Sequence, residues 1–364
     1  MIDFKGKGLY IGKLRTKLPI IQGGMGVGVS LSGLASAVAN AGGVGVISAA
    51  GVGMFEKDSA RDFLGANLRA LRDEIKKAKA NTKGVLGVNI MVAMSTFADM
   101  VKVSIEEKID IIFAGAGLPL NLPSFISEGM ETKLVPIVSS ARAAGIIAKR
   151  WYAKYKYVPD AVVIEGPRAG GHLGFSYEQL DDPNYRLENI MEQVIDELKR
   201  VEDKAGRAIP VIAGGGIYTG EDIYNIMELG AAGVQMGTRF VTTHECDAFQ
   251  DFKQVYLDAK EGDIGIIKSP VGMPGRAVVN SFIEDVDKGI RKPYKCPYHC
   301  IVTCDVESSP YCIALALMNA KVGKLKHGFA FAGENAYRAE SIISVEGLMN
   351  TLTEEYNNAM DGHQ

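Results

Sequence analysis

The chain has 364 residues, 47% of them hydrophobic and 23% charged, with a formal net charge of -3. A chain of this length buries a large core and is sized for one barrel plus an appendage. The near-neutral charge excludes a general attraction to nucleic acid or to an acidic membrane surface, and no apolar run is long enough to span a bilayer. The amino terminus has no apolar signal core, so a cytoplasmic location is expected.

In chain order, the first predicted strand is Pro19 to Gln22, opening into Gly23-Gly24-Met25-Gly26-Val27-Gly28. This run lacks the full G-x-G-x-x-G spacing, and no acidic residue follows a second strand at the required distance, so a dinucleotide-binding Rossmann unit is not supported. Close approach of backbone to a flat ring is the better use of such glycines. A helix of small residues, Leu31 to Ala41, leads to the second strand, Val44 to Ser48. A long charged helix, Lys57 to about Lys79, carries Phe63, Leu64, Leu68, Leu71 and Ile75 on one face. The third strand, Val85 to Asn89, ends on an amide that can pair with a heterocycle or cap a turn. Ile109 to Ala114 is the fourth strand, tipped by Gly115-Ala116-Gly117; Leu134 to Val138 is the fifth. The following helix interleaves Lys149, Arg150, Trp151, Lys154, Tyr155 and Lys156, either a solvated face or a dock for an acidic partner.

The sixth strand is Ala161 to Ile164, and the seventh, Pro210 to Ala213, runs into Gly214-Gly215-Gly216. A helix from Glu221 to Leu229 connects it to the eighth strand, Gly233 to Met236, with Gly237 and Thr238 at its carboxyl end. Two glycine-tipped strand ends in succession match the phosphate grip after the seventh and eighth strands of a (β/α)8 barrel. Eight strands alternating with helices therefore predict an α/β fold, a (β/α)8 TIM barrel with a C-terminal Cys-rich extension. A doubly wound sheet is the architectural alternative. The expected division is a barrel over residues 1–265 and an extension over 266–364, packed on it.

Glu165-Gly-Pro-Arg-Ala-Gly170-Gly171-His172-Leu-Gly174 directly follows the sixth strand. This places His172 on a glycine loop at the mouth of the barrel, where a neutral imidazole can remove a proton from an activated carbon. A histidine that merely bonds a phosphate or a carbonyl would fit the same loop. His244, His327 and His363 have no comparable setting.

IIQGGMG at 20–26, GVN at 87–89, GPRAGGHLG at 166–174, AGGGI at 213–217 and QMGTRF at 235–240 together resemble the nitronate monooxygenases, formerly called 2-nitropropane dioxygenases. These are FMN-dependent barrels, and the family includes flavin-type enoyl-acyl-carrier-protein reductases. The resemblance implies that Gly24 and Met25 lie against the flavin, that Asn89 meets its polar edge, and that His172 is the catalytic base. Glu165 stands where many members have glutamine. Gly170, Gly171, Gly215 and Gly216, with Gln235, Met236, Gly237 and Thr238, would hold the ring and the phosphate.

Four of the five cysteines, Cys296, Cys300, Cys304 and Cys312, follow a C-x3-C-x3-C-x7-C pattern. Such a set can enclose an iron-sulfur cluster, bind zinc with His299 as a further ligand, or remain as reduced core thiols. This tail, with GFAFAGENAYR at 328–338, resembles a branch of the same family that makes unsaturated fatty acids. That branch carries FMN and a [4Fe-4S] cluster, oxidises a saturated acyl chain on carrier protein and isomerises the new double bond. The resemblance implies an oxidoreductase acting on a small-molecule or carrier-bound substrate. The acyl dehydrogenase and isomerase is favoured, beside a nitronate monooxygenase proper, an NAD(P)H-dependent enoyl reductase and a flavin-binding regulator without turnover. A homodimer is possible.

Overall fold

The computed structural model describes residues 2–362 except Arg291, Pro293 and Pro297, so His363 lies outside the described residues, as does Pro297 within the four-cysteine segment. Eight parallel strands close on themselves: β1 (Ile20–Gln22), β2 (Val44–Ser48), β3 (Val85–Met91), β4 (Ile111–Gly115), β5 (Lys133–Val138), β6 (Val162–Glu165), β7 (Val211–Gly214) and β8 (Gly233–Met236). Closure is direct, because β8 pairs with β1 through Val234 opposite Ile20 and Met236 opposite Gln22. A doubly wound sheet would leave two open edges, so the fold is the (β/α)8 barrel.

Both faces of these strands are covered, which is why they read as apolar runs without alternation. Ile21, Val46, Ile111, Phe113, Val163 and Ile212 belong to one cluster that fills the barrel. Leu9 and Ile11, from a short amino-terminal ribbon, join that cluster. The turn of the ribbon at Gly12 lies beside Lys133 and Asp160, ahead of β5 and β6, so the ribbon plugs the amino end of the barrel. Outward residues such as Val88, Ile112, Leu134, Ile164 and Val234 pack under the helices. Each large aliphatic side chain so buried contributes about 1.5–3 kcal/mol. Helix Ser32–Asn40 lies so close to β2 that a Cβ on Gly45 would run into the Ala35 carbonyl.

Two expectations change. The charged helix starts at Phe63 rather than Lys57, because the Asp62 side chain accepts from the Gly65 N–H at 2.9 Å and caps it there. In the helix after β5, Trp151 is fully buried and donates from Nε1 to the Pro119 carbonyl at 2.9 Å, while Lys149 bridges Glu197 at 2.5 Å. The tryptophan is therefore core, not part of a docking face. No helix among the described residues is long and apolar enough to cross a membrane.

Beyond β8 the chain forms an antiparallel hairpin, Ile264–Lys268 with Pro274–Val278, then helices Ser281–Asp287, Ile313–Lys321 and Val345–Gly362. The last helix returns to the barrel wall and packs on helix Gly220–Glu228. Its Glu355 accepts from the Gly220 N–H at 2.6 Å, and Asn357 ties down the amino terminus through Asp3 and Lys5. A Cβ at Gly220 would overlap the Leu352 carbonyl. Gly220→Ala is expected to cost about 1–3 kcal/mol by overpacking, read as a lower melting midpoint. An unchanged midpoint would show that this contact does not hold the final helix.

Candidate active site

The carboxyl ends of the strands surround a cavity of about 540 Å³. Gly24 and Met25 after β1, Asn89 in β3, Glu165 at the end of β6, Gly215 and Gly216 after β7, and Gln235 to Thr238 after β8 all line it. Gly170, Gly171 and His172 complete the ring, so the structure brings every sequence-predicted barrel residue to one space. Ser30 holds the first glycine loop in place by accepting from the Met25 N–H at 2.8 Å. Gly24 abuts Asn89 so closely that a Cβ there would clash with the asparagine side chain. Gly215 and Gly216 adopt φ of 99° and 86°, a region that side chains resist, and leave bare backbone facing the cavity. Met236 is a core side chain at 3% exposure, so its backbone is the part that a ligand could meet.

His172 does not sit on a free loop. Gly171–His172 is a two-residue strand paired antiparallel with Pro274–Val278, His172 opposite Gly275 and Gly171 opposite Arg276. That pairing places Ser269 Oγ 2.7 Å from His172 Nε2, and Phe331 stands edge-on to the imidazole at 4.9 Å between centroids. Arg276 is 8% exposed and donates from Nη2 to the Pro167 carbonyl at 2.8 Å, supporting the loop from beneath. Ser269, Arg276 and Phe331 were not legible as site residues, although they stand in SPVGMPGR at 269–276 and GFAF at 328–331. Nothing local in those segments states which strand they pair with.

Glu165 and His172 both open onto the cavity and are half-buried, and burial moves them in opposite directions. Loss of water disfavours the charged form of each, pushing the Glu165 carboxyl up to about 7 and pulling the His172 imidazole down to about 4. At neutral pH the histidine is therefore unprotonated and can accept a proton, while Glu165 is close to half neutral.

Parts of the C-terminal extension cover the loops after β7 and β8. Gly333 N–H donates to Thr238 Oγ1 at 2.8 Å, Asn335 Nδ2 donates to the Gly216 carbonyl at 2.6 Å, and Arg168 bridges Glu334 at 3.0 Å. The four-cysteine segment is stitched to the loop after β3, with Ser95 N–H donating to the Cys300 carbonyl at 3.1 Å and Val302 N–H to the Ala93 carbonyl at 2.9 Å. Cys300 and Ile301 line the cavity. Burial pushes the Cys300 thiol up to about 12, and Cys312, Cys296 and Cys304 add to the rise. The four sulfurs do not close on a common centre: among the described residues no group of three or more His, Cys, Asp or Glu is arranged to hold a metal ion.

The pattern of the nitronate monooxygenase family matches residues 7–355. A dehydrogenase of Mycobacterium tuberculosis, named for an octahydro-indene carboxyl-CoA substrate, is 30% identical over 273 residues, spanning 75% of this chain and 66% of that relative. A probable nitronate monooxygenase of Staphylococcus saprophyticus is 27% identical, over 76% of this chain and 80% of its own. Among solved structures, FabK from Thermotoga maritima superimposes with a TM-score of 0.73 at 27% identity, covering 96% of this chain and 95% of that one.

The opposed shifts give a signature in stability against pH. Glu165 binds its proton more tightly folded than unfolded, so its contribution is full below pH about 4.5 and is lost as pH rises toward about 7. His172 binds its proton less tightly when folded, so the fold gains stability as pH rises from about 4 to about 6.5. In wild type the two slopes oppose each other over their shared window. In Glu165→Gln only the rising slope remains, and the melting midpoint should climb from pH 4.5 to 6.5 and then level off. A variant profile parallel to wild type would show that Glu165 does not titrate there.

Proposed function

This chain belongs to the nitronate monooxygenase family of flavin-dependent oxidoreductases, and on that premise we propose that it binds FMN and dehydrogenates a saturated acyl chain held as a carrier-protein thioester, then isomerises the new double bond. The observation that carries this reading is the apolar side of the cavity. Met54, Phe63, Met94, Ile301, Ile313 and Leu317 line it, a hydrocarbon surface that a short nitronate would leave uncovered and an acyl chain would fill. Similarity to a relative named as a carboxyl-CoA dehydrogenase supports it as well.

The residues present fit FMN. Bare backbone at Gly215, Gly216 and Gly237 and the Thr238 hydroxyl suit a phosphate, and the opening among Gly24, Met25, Asn89, Glu165, Gly170, Gly171, Gln235 and Met236 suits a flat polar ring. When bound, FMN supplies the acceptor for the electrons removed from the substrate. His172, neutral in its dry site, takes the proton from the carbon beside the thioester carbonyl. Ser269 at Nε2 and the edge of Phe331 hold the ring in one orientation while this occurs. The apolar side excludes water and aligns the chain; once His172 has released the first proton, it can remove a proton from the γ carbon of the enoyl thioester and deliver it to the α carbon, which moves the double bond from α,β to β,γ.

For Cys296, Cys300, Cys304 and Cys312 we assign a [4Fe-4S] cluster. Four cysteine thiols are a soft donor set suited to iron and sulfide, and the segment must tighten around its centre on loading.

Anaerobic absorbance spectra of the purified protein test both assignments. Flavin bands that bleach on adding a saturated acyl carrier protein are expected in wild type; His172→Ala should keep the bands and slow bleaching by roughly 10²–10⁴-fold. Bleaching by a nitronate or by NAD(P)H, with none by the acyl substrate, would instead select nitronate oxidation or enoyl reduction. Iron and acid-labile sulfide should copurify with wild type and be lost in Cys312→Ser; their absence from wild type would leave the four cysteines to zinc or to the core.

A further inference from the structure

Beside Tyr218, at the grip end of the cavity, two arginines add positive charge that the glycine loops do not account for, although neither lines the cavity itself. Tyr218 lines the cavity beside Gly216, Ile217 and Thr238. The guanidinium carbons of Arg239 and Arg338 each lie 4.7 Å from the centroid of its ring. Among the described residues neither arginine is bridged by a carboxylate, and Arg239 Nε is buried without a hydrogen-bond partner. Glu340 is a carboxylate close enough to act on Tyr218, but it forms no ion pair with either arginine. Each guanidinium gains from the π face of the tyrosine, but two like charges sharing one ring repel each other unless an anion lies nearby.

The three residues come from separate parts of the chain and are held against the grip. Tyr218 follows β7, Arg239 follows Thr238 after β8, and Arg338 ends the short turn Glu334–Arg338 of the extension. That turn is anchored by Asn335 on the Gly216 carbonyl at 2.6 Å and by Gly333 on Thr238 at 2.8 Å. We propose that Arg239 and Arg338, stacked on Tyr218, are positioning residues that balance a phosphate dianion in the grip, so that the site selects a phosphorylated flavin over the dephosphorylated one. The inference rests on the FMN reading and adds the source of its phosphate specificity. The extension thereby takes part in choosing the cofactor.

The test is equilibrium binding of FMN and of riboflavin to the full-length chain stripped of flavin, followed by flavin fluorescence at two ionic strengths. Wild type should prefer FMN, and the preference should shrink with salt. Arg338→Gln and Arg239→Gln should each weaken FMN by about tenfold, leave riboflavin unchanged and flatten the salt dependence, while Arg338→Lys should retain most of the preference. Equal losses for both flavins would reveal a packing role and overturn the inference, as would unchanged FMN affinity in both glutamine variants beside a wild type that still discriminates. A wild type that binds neither flavin would overturn the FMN reading, and this inference with it.

Discussion

The antiparallel pairing of Gly171–His172 with Pro274–Val278 is the contact on which the rest of the site depends. It continues through the Leu173 N–H, which donates to the Pro274 carbonyl at 2.9 Å, and it fixes the height at which the hairpin turn presents Ser269 to the imidazole. Phe331 arrives from the other side, because Ala277 bridges to Phe331 and Val278 N–H donates to the Ala330 carbonyl at 2.9 Å. A slip of one residue in this register would turn alternate side chains to the opposite face and take Ser269 away from His172. The barrel sets out the floor of the site, and the extension supplies the wall that orients His172.

That wall also removes water. His172 and Glu165 carry ordinary values for their residue types in the open chain, and one cause, burial, moves them toward each other's range. The result is an imidazole that stays unprotonated at neutral pH and, lining the same cavity, a carboxyl that gives up its proton reluctantly. Apolar side chains such as Met54, Phe63 and Leu317 line the same cavity. Desolvation therefore sets the protonation of both groups.

The loops of the grip show how tightly extension and barrel are interleaved. Gly170 lies against the backbone of Ala332 and Gly333 with no room for a Cβ, so the chain near residue 332 and the loop after β6 were shaped as a pair. Hydrogen bonds from Gly333 and Asn335 to Thr238 and Gly216 repeat that pairing at the next two loops. Loss of the extension would expose the grip and release His172 at once.

Much of the barrel was legible because its signals are local. A parallel strand buried on both faces reads as a short apolar run, a glycine cluster marks where it ends, and eight such units in sequence leave few topologies. The same locality revealed His172, Asn89 and the glycines after β7 and β8, since each sits next to a strand end. Ser269 was hidden because its partner lies 97 residues away, and no pattern within SPVGMPGR names that partner. The burial of Trp151 and the unclosed arrangement of the four thiols were hidden for the same reason. The sequence by itself determined which segments become strands, in what order, and which side chains stand at their carboxyl ends. Only the tertiary structure decided that the sheet closes, that the extension pairs with the histidine strand, and how far burial shifts the two titrating groups. Those outcomes arise from contacts between segments distant in the chain, whose energies appear only once both partners are in place.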